Sequence, residues 1–345
     1  MDEQNKNALM LAAAGAGALI AARTVVNRWR EFDFRGKTVL ITGGSRGLGL
    51  LLARQLVREG ARVCICARDR DELERARADL TRRGGKDVLA IPCDVTDRMQ
   101  VNELVRVAIE RFGSIDVLIN NAGKIQVGPM EVMTLEDYEV AMATHFWAPL
   151  YATLAVLPEM RKRRSGRIVN ISSIGGKISV PHLLPYSASK FALVGFSEGL
   201  RAELMKDGIV VTTVCPGLMR TGSHLNAEFK GRHEAEYALF KISDSLPVSS
   251  MSAERAARQI IRATKRGDAE VVLSIQAQLA VAFHSVFPGL TADLLGVVNR
   301  FLPAHKGEGS IGTGSAKGSE SETAWSANVL TALSDGAARR NNEIG

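Results

Sequence analysis

The sequence predicts an α/β protein built on a doubly wound parallel sheet of seven strands. Short apolar runs rich in β-branched residues alternate with longer segments of helical period between residues 36 and 274. The runs are continuously apolar, which indicates strands that are buried on both faces. Right-handed crossovers between such strands leave a ligand crevice beyond their carboxyl ends. The seven runs, in chain order, are KTVLITG, ARVCICA, DVLAIPC, IDVLINN, GRIVNIS, GIVVTTVCP and AEVVLS.

Composition limits the classes of function. A chain of 345 residues with 46% apolar content is long enough for one large domain with extensions. Its net charge of +7 comes from basic residues dispersed among helices with few interleaved aromatics, so we expect no nucleic-acid binding. The four cysteines form no CxxC pair and lie in strand-like runs, which predicts reduced core residues and neither a disulfide framework nor a metal site. They are Cys64, Cys66, Cys93 and Cys215.

The N-terminal segment, residues 1–35, contains the uncharged run ALMLAAAGAGALIAA at 8–22. As a helix this run spans about 22 Å, which is short of the roughly 30 Å hydrocarbon core of a bilayer. Extension to Val26 reaches a bare spanning length if Arg23 turns toward the headgroups. Two interpretations stay open: a membrane anchor over residues 8–26, or a helix packed on the protein. Acidic residues precede the run and basic residues follow it, so the body is predicted to be cytoplasmic, on the cytoplasmic face of a membrane if the anchor exists.

Two regions follow the predicted catalytic domain, residues 36–274. Residues 275–303 place apolar side chains at helical spacing on either side of Pro288. We interpret them as a helical extension packed on its own domain, with membrane or partner contact as the alternative. Residues 304–345 begin with a Gly/Ser-rich linker, and the tail that follows has one short segment, 323–339, with the potential to dock as a helix.

A glycine-rich turn separates the first strand from the helix after it. The turn is TGGSRGLG, Thr42 to Gly49, with glycines at 43, 44, 47 and 49. In this position glycines allow a tight turn and let the backbone approach a pyrophosphate, whose charge is favoured by the helix N-terminus. The sequence therefore predicts a dinucleotide site.

The end of the second strand indicates which dinucleotide. The strand ends CICARD, with Ala67 and Arg68 where a carboxylate would bind the ribose hydroxyls of NAD. Arg68 and Arg46 are suited to pair with a 2′-phosphate, because guanidinium groups bind phosphate in a bidentate manner. We therefore predict NADP(H) over NAD(H); the alternative is that Asp69 reaches the ribose.

The segment YSASK places Tyr186 and Lys190 one helical turn apart. A free tyrosine has a pKa near 10. A neighbouring ammonium, together with the positive charge of the oxidised nicotinamide, favours the phenolate and so is expected to lower that pKa. Tyr186 is then the general acid or base for a substrate oxygen. Ser173, which ends the fifth strand thirteen residues before the tyrosine, can reach the same crevice and hydrogen-bond that oxygen, with Ser172 as the alternative.

These motifs resemble the classical short-chain dehydrogenase/reductase superfamily over residues 36–274. Besides the glycine turn and YSASK, the chain carries CDV at 93–95, NNAG at 120–123, NISS at 170–173 and PG at 216–217, in the family's order. The resemblance implies a Rossmann-type sheet and selects Ser173 over Ser172. It also implies that Lys190 holds the nicotinamide ribose. The implied cofactor-binding residues are Gly43, Ser45, Arg46, Gly47, Leu48, Gly49, Arg68, Asp94, Val95, Asn121, Ala122, Gly123, Tyr186, Lys190, Pro216, Gly217 and Thr221.

The resemblance also assigns places to the outer members of this set. Asp94 and Val95 would flank the adenine, and Asn121 with the two residues after it would line the floor near the ribose. Thr221 would meet the nicotinamide amide.

One position departs from the family's pattern. The segment THFWAPL has His145 where the family usually has an asparagine that holds a water for proton relay. Imidazole also donates and accepts hydrogen bonds, so His145 is a candidate catalytic residue with a titration near neutral pH. The alternative is an inert core histidine.

The substrate segment is predicted to be the insert over 218–250 together with KISVPHLLP, which precedes Tyr186. No cluster of basic residues marks an acyl carrier or a phosphorylated substrate. The expected substrate is therefore a lipophilic alcohol or ketone. Core packing is the alternative for each of the apolar residues on which this rests, which are Met219, Leu225, Phe229, Tyr237, Phe240, Val180, Leu183 and Leu184.

The leading interpretation is an NADP(H)-dependent oxidoreductase that interconverts a lipophilic alcohol and its carbonyl compound. A 3-oxoacyl thioester reductase is the alternative enzyme, and an NADP(H)-binding sensor or scaffold is the alternative outside enzymes. The resemblance further implies a homodimer or homotetramer associated through helices over 134–163 and 183–206.

Overall fold

The computed structural model describes residues 31–246, 250–303, 314–322 and 331–343, together with the isolated positions Gly15 and Gly17. The predicted anchor or helix over residues 8–26 otherwise lies outside the described residues.

Seven parallel strands form the central sheet, as the sequence predicts. Their order across the sheet is β11-β7-β6-β4-β1-β2-β3. The strands in chain order are β1 (Thr38–Thr42), β2 (Arg62–Ala67), β3 (Val88–Pro92), β4 (Val117–Asn120), β5 (Gln126–Val127), β6 (Gly166–Ile171), β7 (Ile209–Pro216), β8 (Leu218–Arg220), β9 (Glu228–Phe229), β10 (Ser250–Ser252), β11 (Glu270–Leu273) and β12 (Ala316–Lys317).

Helices connect the strands and extend the chain beyond them. They are α1 (Gly47–Arg58), α2 (Arg70–Arg82), α3 (Arg98–Phe112), α4 (Leu135–Met142), α5 (Ala148–Arg163), α6 (Leu184–Leu204), α7 (His233–Ser245), α8 (Ala253–Arg266), α9 (Ile275–Val286), α10 (Pro288–Asn299) and α11 (Ala332–Arg340). A π-helical stretch, Ala143–Trp147, joins α4 to α5.

The core has one layer on each face of the sheet. In β1, Val39 and Ile41 enter the layer that includes apolar residues of α1, α2 and α8. The side chain between them, Leu40, enters the opposite layer with residues of α3 and α5. Successive side chains of a strand point to opposite faces, so a sheet covered on both sides requires apolar residues at every position. The continuous apolar runs in the sequence have this cause.

Two small sheets lie outside the main one. β8 pairs with β10 in parallel, and β9 pairs with β5 on one side and with β12 on the other. β12 and the 3-10 turn after it, Gly318–Glu320, fall within the stretch predicted as a flexible linker. The structure corrects that expectation for residues 316–320, because an edge strand takes its hydrogen bonds from the backbone and needs little apolar composition.

The helix pair α9 and α10 corrects a second expectation, that this extension packs on its own domain. Ala277 and Thr291 are the buried side chains of the pair. Most of its large apolar side chains are more than a third exposed, among them Ile275 at 70% and Leu279 at 66%. The sequence shows apolar residues at helical spacing, but it does not show whether the folded domain offers a surface that covers them.

Helical stretches of the described part of the chain were compared with the length and hydropathy of membrane spans. The continuous stretch Leu135–Arg163 contains an 18-residue window with a mean hydropathy of 1.4, and 44% of that window is buried. It supplies residues of α5 to the core, which is the ordinary reason for such a composition. The pair α9 and α10 also passes when the two helices are taken together, with a bend of 120° between them.

Candidate active site

The glycine turn is held tightly against the neighbouring strand. A Cβ added to Gly43 would lie 2.8 Å from the Cα of Ala122, and one added to Gly49 would overlap the carbonyl oxygen of Gly43. The Asn121 amide, just beyond β4, donates to the carbonyl oxygens of Thr42 and Gly43 at 3.0 and 2.9 Å. The backbone can follow this path only with glycine at both positions. The turn therefore delivers backbone N–H groups to the start of α1.

The backbone amide of Gly47 shows which kind of group the turn can bind. Gly47 has a φ of +56°, and its N–H donates to the backbone carbonyl oxygen of Asn341 at 2.9 Å. A free amide at the N-terminus of a twelve-residue helix binds acceptors, and phosphate oxygens are acceptors of this kind. The residues present therefore fit the diphosphate of a nicotinamide dinucleotide.

The two arginines assigned to a 2′-phosphate are placed differently. Arg46 donates to Glu72 at 2.8 Å and to Asn226 at 3.1 Å. Arg68, one residue after β2, is exposed. Asp69 caps α2 by accepting from the backbone N–H of Glu72 at 2.8 Å. Because this carboxylate is used by the helix, the alternative in which Asp69 reaches the ribose loses support.

The residues assigned to the adenine and to the nicotinamide lie at the same carboxyl edge of the sheet. The Asp94 carboxylate accepts from the backbone N–H and the hydroxyl of Thr96, at 2.9 and 2.7 Å. Thr221 is buried, and its hydroxyl accepts from the N–H of Ser223 at 3.1 Å. Pro216 is the last residue of β7. The other assigned residues occupy the glycine turn or the segments just after the strands of this edge, and they are Ser45, Leu48, Val95, Ala122, Gly123 and Gly217.

Ser173, Tyr186 and Lys190 meet at this edge. Ser173 follows β6, and its hydroxyl accepts from the N–H of Gly175 at 3.0 Å. A Cβ on Gly175 would lie 3.2 Å from the Tyr186 ring and 3.5 Å from the Ser173 hydroxyl, so the absence of a side chain there lets the ring approach the serine. The Lys190 amine lies 5.6 Å from the centroid of the same ring and donates to the Ile171 carbonyl at 3.0 Å.

Ser172 is held in a different role. It is buried, and its hydroxyl donates to the backbone carbonyl of Lys190 at 3.0 Å. This bond ties β6 to α6 and turns Ser172 away from the crevice side where Ser173 and Tyr186 meet. The geometry therefore favours Ser173 of the two serines.

Burial dominates the pKa values of Tyr186 and Lys190 in the protein alone. Burial raises the pKa of Tyr186, and a hydrogen bond with Ser173 lowers it by less. Burial also lowers the pKa of Lys190 to about 8. In the protein alone the charge of Lys190 does not offset this burial, because the amine faces the ring and the Ile171 carbonyl while both groups lose water. The lowering of the tyrosine pKa by Lys190 together with the oxidised nicotinamide stays a prediction.

His145 is fully hydrogen-bonded in the core. Its Nε2 accepts from the backbone N–H of Lys124 at 3.1 Å, which leaves Nδ1 as the donor to the Ser189 hydroxyl at 2.8 Å. That hydroxyl donates to the Tyr186 carbonyl at 2.8 Å. The His145 ring also meets the Tyr186 ring edge to face, with centroids 5.3 Å apart.

The predicted neutral-pH titration of His145 is wrong. Burial, and next the charge of Lys190, hold the pKa of the imidazole well below its ordinary value. Both ring nitrogens are in use, so this geometry leaves none for a relay water. The interactions favour a residue that positions Tyr186, while its role in proton relay stays a prediction.

Three residues near the end of the described chain contact the site, and no pattern in the sequence indicates this. The Asn341 side chain donates to the Thr221 carbonyl at 3.1 Å, and Asn342 donates to the Ser45 carbonyl at 2.9 Å. The Glu343 carboxylate accepts from Asn226 at 2.7 Å. A short docked helix was predicted for this region, and α11 confirms a helix, but nothing in the composition predicts where it docks.

The apolar residues assigned to the substrate separate into three groups. Phe229 and Tyr237 are fully buried in a small core with Val127 and Ala227, so their prediction as pocket residues is wrong. Leu183 and Phe240 pack against this core, and Met219 packs against the main core. The remaining members, Val180, Leu184 and Leu225, are partly or largely exposed.

The described residues contain a surface cavity away from the catalytic candidates and no cluster suited to a metal ion. A surface cavity of about 820 Å³ is lined largely by charged residues, including Arg54, Arg83 and Glu254, and by none of the catalytic candidates. Within the described ranges no three His, Cys, Asp or Glu side chains are grouped to hold a metal ion.

Comparisons with known proteins agree with the geometry. The short chain dehydrogenase family profile matches residues 37–230. A dehydrogenase/reductase SDR family protein 7-like of Anopheles gambiae is 35% identical over 272 residues, covering 77% of this chain and 84% of that protein. The ketoacyl reductase HetN of Nostoc sp. is 42% identical over 182 residues, covering 53% of this chain and 63% of that protein. A solved actinorhodin polyketide ketoreductase variant with NADPH is 31% identical with a TM-score of 0.62, covering 69% of this chain and 95% of that one.

Proposed function

Because the chain belongs to the short-chain dehydrogenase family, we propose that it is an NADP(H)-dependent oxidoreductase acting on a lipophilic alcohol or its carbonyl compound. The observation that carries this proposal is the meeting of Ser173, Tyr186 and Lys190 at the carboxyl edge of the sheet, beside the glycine turn.

Each residue has a distinct part in the chemistry. The Ser173 hydroxyl orients the substrate oxygen, and the Tyr186 hydroxyl gives that oxygen a proton in reduction or removes one in oxidation. Lys190 keeps two amine protons besides the one given to Ile171 and can use them to bind a ribose hydroxyl. His145 and Ser189 fix the backbone at Tyr186. The nicotinamide, when bound, supplies or accepts the hydride.

The central experiment follows NADPH absorbance with purified protein and a panel of lipophilic ketones and aldehydes. We expect turnover by the wild type, and a loss of about 100-fold or more in Tyr186→Phe, since general acid catalysis contributes roughly that much. Thermal unfolding of both proteins controls for folding. Equal turnover by the two proteins would exclude Tyr186 as the proton donor.

The preference for NADP(H) rests on charge at the end of β2. Arg68 is exposed there, no carboxylate replaces it, and Asp69 is used as a helix cap. We expect Arg68→Ala to weaken NADPH binding about tenfold and to leave NADH binding unchanged, because one charge-assisted bond is lost. Titration of both nucleotides measures this. Exposed Arg70→Ala, two residues on, is the matched control.

A 3-oxoacyl thioester reductase is the second candidate. Identity to the Nostoc ketoacyl reductase over half of the chain favours it. Adding short acyl thioesters to the panel separates the two enzymes by their kcat/KM values. NADPH binding without turnover of any compound would support the sensor or scaffold instead, an alternative disfavoured by the intact grouping of Ser173, Tyr186 and Lys190.

Association and location are further parts of the proposal. Exposed apolar side chains on α5 and α6, Leu154 at 49% and Phe191 at 42%, support a homodimer or homotetramer through these helices. Light scattering of wild type and Phe191→Asp tests this. We propose a cytoplasmic catalytic domain attached to the membrane by residues 8–26, which cell fractionation with and without that segment tests.

A further inference from the structure

The pair α9 and α10, which we call the C-terminal hairpin (residues 275–299), is apolar on nearly every side. Asp293 is its single acidic residue, and His284 is its single basic one. The large side chains Leu279, Phe287 and Leu290 are each at least half exposed. A core helix with such a composition is buried, and a solvated helix carries charges. Neither description fits the hairpin, so a surface of low polarity is required to cover it.

The position of the hairpin relates it to the catalytic edge. It begins immediately after β11, where the Ser274 hydroxyl caps α9 by accepting from the N–H of Ala277 at 3.2 Å. A Cβ on Gly217, in the assigned cofactor site, would lie 3.3 Å from that hydroxyl and 3.4 Å from the Ala277 side chain. The first turn of the hairpin is therefore in contact with the cofactor end of the crevice.

The dimensions of the hairpin indicate what covers it. Each arm has twelve residues, which gives about 18 Å of helix, less than the roughly 30 Å bilayer core. The two arms together reach the hydropathy of a membrane span, with a 120° bend between them. Arg300, exposed directly after α10, is placed to meet lipid phosphates. A bent hairpin of this size fits one leaflet.

We propose that the C-terminal hairpin docks on a lipid bilayer by inserting into one leaflet, which brings the crevice edge next to the membrane surface. The docking does not depend on the proposed function. If that function is correct, a lipophilic substrate enters the crevice from the leaflet.

The test uses the full chain and a fluorophore whose emission reports polarity. The native cysteines are buried, so Leu290→Cys, at 50% exposure, can be labelled selectively with nitrobenzoxadiazole. The matched control is Met99→Cys on α3, at 81% exposure. Vesicles of phosphatidylcholine and phosphatidylglycerol, with and without doxyl-labelled lipid, are then added.

We expect a blue shift and doxyl quenching of the label at position 290, and neither change at position 99. A label at 290 that stays in water while the protein sediments with vesicles would overturn the proposal, because another segment then provides the attachment. A blue shift that follows protein concentration without vesicles would overturn it in favour of a second copy of the chain.

A separate observation concerns residues 331–343, which we call the C-terminal arm. Its last three described residues use the groups assigned to the cofactor. The Gly47 amide, assigned to the diphosphate, donates to Asn341. Arg46, assigned to the 2′-phosphate, lies 3.4 Å from the Glu343 carboxylate. A backbone carbonyl and a carboxylate thus occupy positions where phosphate oxygens are expected.

The arm is anchored at a second place. The Asp335 carboxylate lies 3.0 Å from the amine of Lys241, which is fully buried, and the Ser334 and Ser245 hydroxyls hydrogen-bond at 2.9 Å. A Cβ on Gly222 would overlap the backbone of Ala338. These contacts fix α11 next to Thr221, so the tip reaches the glycine turn in a defined orientation.

We infer that the tip of the C-terminal arm and NADP(H) compete for one site, so that the arm lowers the affinity of the protein for its cofactor until it is displaced. This inference rests on the proposed function, since it names the regulation of the same site. If only a fraction of the molecules has the arm undocked, the apparent affinity for NADP(H) is the intrinsic affinity multiplied by that fraction.

The test measures the Kd for NADPH of full-length variants. Asn341→Ala removes the bond to Thr221 without changing charge, and Glu343→Ala removes both the carboxylate next to Arg46 and the acceptor of the Asn226 hydrogen bond. We expect Kd to fall about tenfold in the double variant, because several hydrogen bonds of the arm are lost. Arg339→Ala, exposed on the same helix, is the control and is expected to match the wild type.

Hydrogen exchange supplies the second readout. We expect NADPH to speed exchange of the α11 amides in the wild type. Equal Kd values in all proteins with unchanged exchange would overturn the inference and leave the function intact. A higher Kd in the double variant would overturn it too, since the arm would then hold the cofactor. Failure of every variant to bind NADPH would contradict the proposed function as well.

Discussion

Burial acts in opposite directions on the two titrating groups beside the crevice. It raises the pKa of Tyr186 and lowers that of Lys190 to about 8, because loss of water disfavours the charged form of each. At pH 7 the phenol is therefore neutral and suited to donate a proton, while most of the amine is still charged. Removal of a proton from an alcohol requires further positive charge near the phenol.

The buried His145 leads to a prediction about how the free energy of unfolding depends on pH. The pKa of its buried ring lies well below the ordinary value, so the unfolded chain binds a proton below about pH 6.5 that the folded protein does not. Its contribution to stability is present above that pH and is lost as pH falls through the folded pKa. Between pH 6 and 5 the free energy of unfolding should fall about 1.4 kcal/mol further in wild type than in His145→Asn.

Urea unfolding at a series of pH values measures this difference. A parallel pH dependence of the two proteins would show that His145 titrates normally in the folded state. His145→Ala should lower the free energy of unfolding by about 2–4 kcal/mol at pH 7.5, because the Ser189 hydroxyl and the Lys124 amide lose a buried partner.

Gly49 provides a test of the glycine turn. A Cβ there would overlap the Gly43 carbonyl and lie 2.6 Å from the Asn121 amide, so we expect Gly49→Ala to destabilise the fold by about 3 kcal/mol or more. The matched control is Gly199→Ala in α6, where nothing lies within 4 Å of the added atom. That change should stabilise the protein by up to about 1 kcal/mol through helix propensity. Thermal unfolding measures both, and equal effects would contradict the geometry.

At the scale of elements, the same edge of the sheet is shaped by three connections. The turn before α1 supplies amides, α6 supplies Tyr186 and Lys190, and the extension after β11 carries the hairpin away from the body. All three start at carboxyl ends of parallel strands, where connections of a doubly wound sheet converge. The C-terminal arm reaches this edge from a distant part of the sequence. It covers the backbone amide of Gly47 in the turn before α1.

Docking of the C-terminal arm is predicted to depend on pH through Glu343. Burial raises the pKa of Glu343 to about 7, against the lowering effects of Arg46 and Asn226, with Glu72 and Asp244 adding to the rise. Docking is therefore strongest when the carboxyl is protonated, below its undocked pKa near 4.5, and weakens as pH rises through about 7. The Kd of the wild type for NADPH should fall relative to that of Glu343→Gln by roughly tenfold between pH 5 and 7.5.

Comparison of the two proteins cancels the titration of the 2′-phosphate itself, which occurs near pH 6. A constant ratio of Kd values over this range would show that the carboxyl of Glu343 is not buried on docking. The matched control is Glu343→Gln combined with Asn341→Ala, whose ratio to Glu343→Gln alone is expected to stay constant.

At the scale of the whole molecule, the sheet divides the core into two layers that differ in content. Cys64 and Cys66 lie with Cys93 in the layer that includes α3 and α5. Burial raises the pKa values of Cys64 and Cys215 to about 12. A thiol with such a pKa and no access to solvent is inert. The prediction that the four cysteines are core residues is confirmed, because all four are buried.

Thiol titration tests the closed core. With a chromogenic disulfide at pH 8, Cys64 and Cys215 should be unmodified in the native protein and react fully after denaturation. Mass spectrometry of the digested protein assigns the modified positions. Rapid native modification of either residue would show that the sheet opens on the time scale of the reaction.

Much of the site could be predicted from short segments. The spacing of Tyr186 and Lys190 and the position of Ser173 after a strand depend only on helix and strand geometry, and the structure brings these groups together. The pKa direction of Tyr186 could not be predicted, because it depends on how much water the surrounding elements remove. The same limit applies to Phe229 and Tyr237, whose apolar character fits a pocket and a core equally well.

The sequence by itself determined the sheet, the glycine turn and the catalytic grouping, since these follow from local periods and from the chirality of parallel crossovers. Tertiary structure alone decided that the C-terminal hairpin leaves its apolar surface uncovered and that Glu343 meets Arg46, nearly three hundred residues before it in the chain. The composition shows which side chains are apolar and therefore gain free energy on burial. Only the arrangement of the folded surface decides which of them find a partner there.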